Sequence, residues 1–156
     1  MHPVSGATDH MAPLGSDFSE YASYSNSNKS VILGDGSTKL VVLGKGSVTR
    51  YVETSPQIYC CLTLTDVLHV KGINRRFLSL PKLDDKGFDY RKEKEHILFT
   101  KGNARFSAVR QGNAFFTYLH QEKPPGAHTL SVVESVSIKT LHERMGHLTG
   151  CTEPFL

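Results

Sequence analysis

Short apolar, β-branched and alternating runs punctuated by glycine-bearing turns fill residues 30 to 119, and that pattern predicts β-strands. Ser30-Val31-Ile32-Leu33 meets Gly34-Asp35-Gly36-Ser37, whose glycines permit a tight turn, and Lys39 to Leu43 returns, so a hairpin is predicted. Gly44-Lys45-Gly46 then predicts a bulge or bend before Ser47 to Val52, which alternates as a half-buried strand does. Residues 57–70 continue as strand because threonines separate the apolar positions. In Phe77-Leu78-Ser79-Leu80-Pro81-Lys82-Leu83 the apolar residues bunch, Pro81 sets a boundary, and Asp84-Asp85-Lys86-Gly87 reads as a turn. Short strands follow at residues 88–90, 96–100, 104–109 and 114–119, separated by Lys101-Gly102-Asn103 and Gln111-Gly112-Asn113.

The two ends differ from this middle. Residues 1–28 are rich in Ser, Asn and Gly and are expected to be loop, anchored by Phe18, Tyr21 and Tyr24. Lys123-Pro124-Pro125-Gly126 marks a linker, and Ile138, Leu141 and Met145 recur at helical spacing ahead of Gly146, predicting a short helix over 138–145. The fold class that follows is all-β. A small closed or partly open barrel is expected in place of a parallel sheet, because no stretch between strands is long enough for crossover helices.

Composition narrows the function classes. With 156 residues the chain can hold one globular domain with a modest core, or one domain and a fragment of another, but not two full domains. Its longest unbroken apolar run, Ile58 to Leu62, is far short of the roughly 20 residues a bilayer crossing needs, so no membrane partner is expected. Three cysteines, two of them adjacent at Cys60 and Cys61, do not form a disulfide framework and fit an intracellular location, cytoplasmic or nuclear. Residues 69–110 carry 11 basic and 5 acidic groups, but Glu93 and Glu95 interleave with Arg91, Lys92 and Lys94 as on a solvated strand face. Nucleic acid is therefore not the expected partner.

The segment Val4-Ser5-Gly6-Ala7-Thr8-Asp9-His10-Met11 resembles the active-site segment of the aspartic protease in Copia-type long-terminal-repeat retrotransposons, Asp-Ser-Gly-Ala-Thr/Ser-Asp-His-Met. Further resemblances follow in family order. Val31 to Gly36 is similar to the Gly-Asp-Gly hairpin, Leu43 to Val48 to the Gly-x-Gly strand, and Asp66-Val67-Leu68-His69-Val70 to Asn/Asp-Val-Leu-Tyr-Val-Pro. Phe77 to Gly87 is similar to Asn-Leu-Leu-Ser-Val-x-x-Leu-x-x-x-Gly, with Lys71 and Phe77 as minor departures.

The resemblance implies a retropepsin-like β-barrel domain over residues 1–120 and a linker at 121–128. It implies Ser5, Gly6, Ala7, Thr8 and Asp9 at the substrate cleft, Gly34, Asp35 and Gly36 in a flap, and a possible homodimer acting on polyprotein peptide segments. The position of the catalytic aspartate, however, is Val4. Aspartic proteases activate water with two carboxylates sharing one proton, and valine supplies neither base nor acid. The chain as written is thus expected to be a catalytically incompetent remnant of a Pol polyprotein. Two alternatives stand beside it: a domesticated, non-enzymatic peptide-binding module, and an active endopeptidase whose true upstream sequence differs from Met1-His2-Pro3-Val4.

Leu141-His142-Glu143-Arg144-Met145-Gly146-His147-Leu148 resembles the Trp-His-x-Arg-Leu-Gly-His signature opening the pre-integrase zinc site of the same elements. The resemblance implies a truncated GAG-pre-integrase segment over residues 129–156. Zinc takes about four N or S ligands, and only Cys151 follows His142 and His147. No cofactor is expected beyond weak zinc at this incomplete site.

Overall fold

The computed structural model describes residues 2–5, 7–26 and 28–131. In chain order the elements are β1 (His2–Ser5), β2 (Met11–Ala12), a 3-10 turn at Gly15–Asp17, β3 (Glu20–Ser23), β4 (Ser30–Ile32), β5 (Lys39–Ser55) and β6 (Ile58–Val70). They continue with β7 (Leu78–Ser79), helix α1 (Leu80–Asp85), β8 (Asp89–Lys92), β9 (His96–Lys101), β10 (Ala104–Gln111), β11 (Ala114–Thr117) and β12 (His128–Ser131). The all-β expectation holds. The helix expected over 138–145 lies outside the described residues.

One sheet runs β7-β1-β11-β10-β9-β8 and the other β12-β6-β5-β3, with β2 added to β6 and β4 to β5. Neighbours in the middle of the chain are antiparallel, as short turns require. Three pairs, β1 with β7, β2 with β6 and β12 with β6, are parallel, each joining a short strand to one far along the chain. Val48, Val52, Leu62 and Leu64 from one sheet and Ile97, Phe99, Phe106 and Ala108 from the other share a core cluster. Within it the Phe99 and Phe106 rings stack at 4.7 Å, and Phe88 meets Phe106 edge-on at 5.8 Å.

The expected irregularity at Gly44 and Gly46 is present, since the β5–β6 register shifts between Val42 and Gly44 and again between Gly46 and Val48. The two glycines also make room for β3, which pairs Tyr21 with Gly46 and Ser23 with Gly44. A Cβ on Gly46 would lie 1.9 Å from the Glu20 carbonyl oxygen, and one on Gly44 would lie 2.5 Å from that of Ala22.

The start of the chain is more ordered than its composition predicts. β1, β2 and β3 are two to four residues long and form by backbone pairing, which leaves no periodic hydrophobic signature. Beyond Pro81 the expected boundary is the start of a helix. Ser79 caps α1 by accepting from the Lys82 N–H at 3.3 Å, and Pro81 sits in the first turn, where a missing N–H costs nothing. The helix closes on Gly87, at φ +84°, with Gly87 N–H donating to Asp84 and Phe88 N–H to Leu83. This pattern is a Schellman motif, and its two apolar residues, Leu83 and Phe88, are both buried in the shared core.

Candidate functional site

Ala7 to Asp9, downstream of β1, and Ser30 to Gly34, the first arm of the glycine hairpin, line one cleft. The backbone of β1 lies between two neighbours, with Val4 paired to Phe115 on one side and to Leu78 on the other, and Ser5 paired to Ser79. Gly6 lies outside the described residues, and the chain then runs through Ala7, Thr8 and Asp9 into β2. Across from it the β4–β5 hairpin projects, its backbone closed by Leu33 N–H donating to Thr38. Between them is a cleft of about 1090 Å³, walled by Ala7, Thr8 and Asp9 on one side and by Ser30 to Gly34 on the other. Its floor is apolar, formed by Met11, Val42, Leu68 and Phe77 of a second hydrophobic cluster.

The acidic groups here are committed to structural partners. Asp35 accepts the Ser37 and Thr38 N–H groups at 2.9 and 2.8 Å and the Thr38 hydroxyl, so it ties the hairpin turn. The Thr38 hydroxyl chiefly, then the backbone donors, hold its carboxyl down at about 2. Asp9 accepts from the Thr8 hydroxyl at 3.2 Å and pairs with Lys82 Nζ at 3.4 Å. Asp9 is the sole carboxylate among the described residues lining the cleft.

His10 carries a role that sequence spacing does not reveal. It is 1% exposed, its Nδ1 accepts the Ser79 N–H at 3.0 Å, and its carbonyl accepts the Leu68 N–H at 2.9 Å. Burial first, then the Lys82 charge, lowers its pKa from 6.5 to about 4, so the ring is neutral at pH 7 and carries its proton on Nε2. A second polar cluster supports the same end of the molecule. Asp17 Oδ1 accepts from Arg50 Nη2 at 2.7 Å and from Arg76 Nε at 2.8 Å, all but Arg76 being buried, while Asp17 Oδ2 has no partner among the described residues. Burial lowers the Arg50 pKa, and the Asp17 charge opposes that shift.

Other residues singled out in the sequence lie apart from the cleft. Cys60 and Cys61 are buried in β6, and burial pushes the Cys60 thiol up to about 12, which makes it a packing residue and not a nucleophile. In the basic segment Glu93 takes up Arg91 at 3.1 Å and His96 at 2.6 Å, and Lys101 Nζ donates to the Lys86 carbonyl. His142, His147 and Cys151 lie outside the described residues. Among the described residues no three His, Cys, Asp or Glu side chains gather as a metal site, and no helix is long and apolar enough to cross a membrane.

A family model described as "Pol polyprotein, beta-barrel domain" matches residues 4–88, the stretch from β1 through α1 that builds the cleft and its hairpin. No curated protein and no solved structure matches the chain.

Proposed function

The chain belongs to the Pol polyprotein β-barrel domain family, and we propose that it is a Copia-type, aspartic-protease-like member that holds an extended peptide without hydrolysing it. The observation carrying this reading is the cleft itself, in which the Ala7–Asp9 segment and the β4 hairpin face each other over an apolar floor. A volume of about 1090 Å³ exceeds what most small-molecule pockets need, roughly 300–1,000 Å³, and suits a run of several residues. Among the described residues β4 pairs with β5 alone, which leaves a second edge to which a strand can be added, so main-chain bonds supply affinity and apolar pockets supply selectivity.

Hydrolysis requires a second group to share the proton, and residue 4 supplies none. Ser5 to Asp9 then serve as the cleft wall, and Gly34 to Gly36 as a flap held in shape by Asp35. In the same reading residues 129–156 begin a GAG-pre-integrase segment, with His142 and His147 as two of its zinc ligands.

The direct test is a peptidase assay on a polyprotein-junction peptide at mildly acidic pH, run on the unmodified chain and on Val4→Asp. The unmodified chain should give no product. Pepstatin-sensitive cleavage by it would overturn the reading.

A further inference from the structure

We propose that His10 is the positioning residue of the cleft: its neutral imidazole fastens the Ala7–Met11 wall to the cap of α1, and charging that imidazole releases the wall. This inference rests on the cleft described above but deepens it with a regulatory element. The geometry is specific. Ser79 is buried, its hydroxyl caps α1 and its N–H donates to His10 Nδ1, so one residue ties the helix start to the cleft wall. The neighbouring residues belong to the cleft, Asp9 on its wall and Met11 in its floor.

A protonated imidazole carries hydrogens on both nitrogens and cannot accept the Ser79 N–H. Two buried donors would then face each other at 3.0 Å, and the ring would have to leave its site to reach water. The charged groups around it reinforce this. Lys82 and Lys86, from α1 and its C-terminal cap, oppose a positive charge, Asp9 favours one, and Asp9 is itself occupied by Lys82. From β6 the contact is the Leu68 backbone, which brings no charge.

Opening of the wall should therefore grow as pH falls from 6.5 and level off below about 4, where the closed state takes up the proton as well. For those two values the opening constant rises about 30-fold by pH 5 and about 200-fold by pH 3.5. His10→Asn presents an amide oxygen near the Nδ1 position and does not titrate, so it separates the hydrogen bond from the charge. Lys82→Gln removes the nearest repelling charge at a partly exposed site and should move the plateau to higher pH.

The experiment is amide hydrogen exchange of Ala7 to Met11 in the full chain from pH 7 to 3.5, corrected for intrinsic rates, for native protein, His10→Asn and Lys82→Gln. Support is a steep rise in native protein, a flat profile in His10→Asn and, in Lys82→Gln, a smaller rise that levels off at higher pH. Native and His10→Asn profiles that coincide overturn the proposal. Binding of a labelled junction peptide at pH 7 is measured alongside. Its failure would count against the peptide reading of the cleft and not against His10, whose role the exchange profile decides alone.

Discussion

Substituting Gly46→Ala should separate β3 from the rest of its sheet. The added Cβ would sit 1.9 Å from the Glu20 carbonyl oxygen, 2.9 Å from the carbon that bears it and 2.9 Å from Phe18 Cδ1. The first contact is with backbone, so no rotamer change relieves it, and β3 must retreat by more than an ångström. The four pairs from Glu20–Ser47 to Ser23–Gly44 then lose their ladder. Each lost hydrogen bond costs about 0.5–1.5 kcal/mol net, partly recovered from water because every β3 residue is exposed. Overpacking against Phe18 adds about 1–3 kcal/mol, and the sum is about 2–4 kcal/mol. Gly34→Ala is the control, since a Cβ there meets nothing within 4 Å, and it should stay within about 0.5 kcal/mol of the native chain. In urea unfolding the Gly46 variant should lose about 1–2 M in midpoint at a slope near 2 kcal/mol per molar. A Gly46→Ala midpoint equal to the control would refute the argument that the Gly-x-Gly pattern exists to admit β3.

Three further outcomes follow. Asp17→Ala leaves the buried Arg50 guanidinium without its carboxylate and should cost about 3–5 kcal/mol in the same unfolding assay, whereas a loss under 1 kcal/mol would mean that water or Arg76 movement compensates. His10 has a folded pKa of about 4 against 6.5 unfolded, so the unfolded chain takes up a proton first on acidification; its contribution is full above pH 6.5 and about 3 kcal/mol is lost by pH 4, measurable as the difference between native and His10→Asn stability across that window. Cys60 should resist thiol reagents at pH 8 until the chain unfolds, as mapped by mass spectrometry, and rapid native-state labelling would contradict its burial and raised pKa.

Alternation in the second half of β5 and in β10 made those strands legible, because half-buried strands write their burial into every second residue, whereas β6 buries Tyr59 to Leu62 in succession and was legible from its apolar and threonine content. β1 to β3 were not legible, since backbone pairing alone, with exposed side chains in β3, leaves no such trace. α1 was hidden by reading Pro81 only as a stop; Ser79 followed by a proline and then by Leu83 and Gly87 was the available signal for a capped short helix. Ala7, Thr8, Asp9 and Gly34, which line one cleft, are reached in the sequence through motif resemblance and not through periodicity. His10 escaped because its partner is a backbone N–H 69 residues away, which no local spacing can announce. The Asp17–Arg50–Arg76 cluster was hidden for the same reason, each charge being ordinary in its own stretch of sequence.

The most direct measurement is fluorescence anisotropy of a labelled polyprotein-junction peptide titrated with the unmodified chain at pH 6 and followed for hours. A peptide held between the Ala7–Asp9 wall and the β4 hairpin but not cleaved gives saturable binding and an anisotropy that stays constant with time. Absence of saturable binding, or an anisotropy that decays as fragments form, would contradict the account.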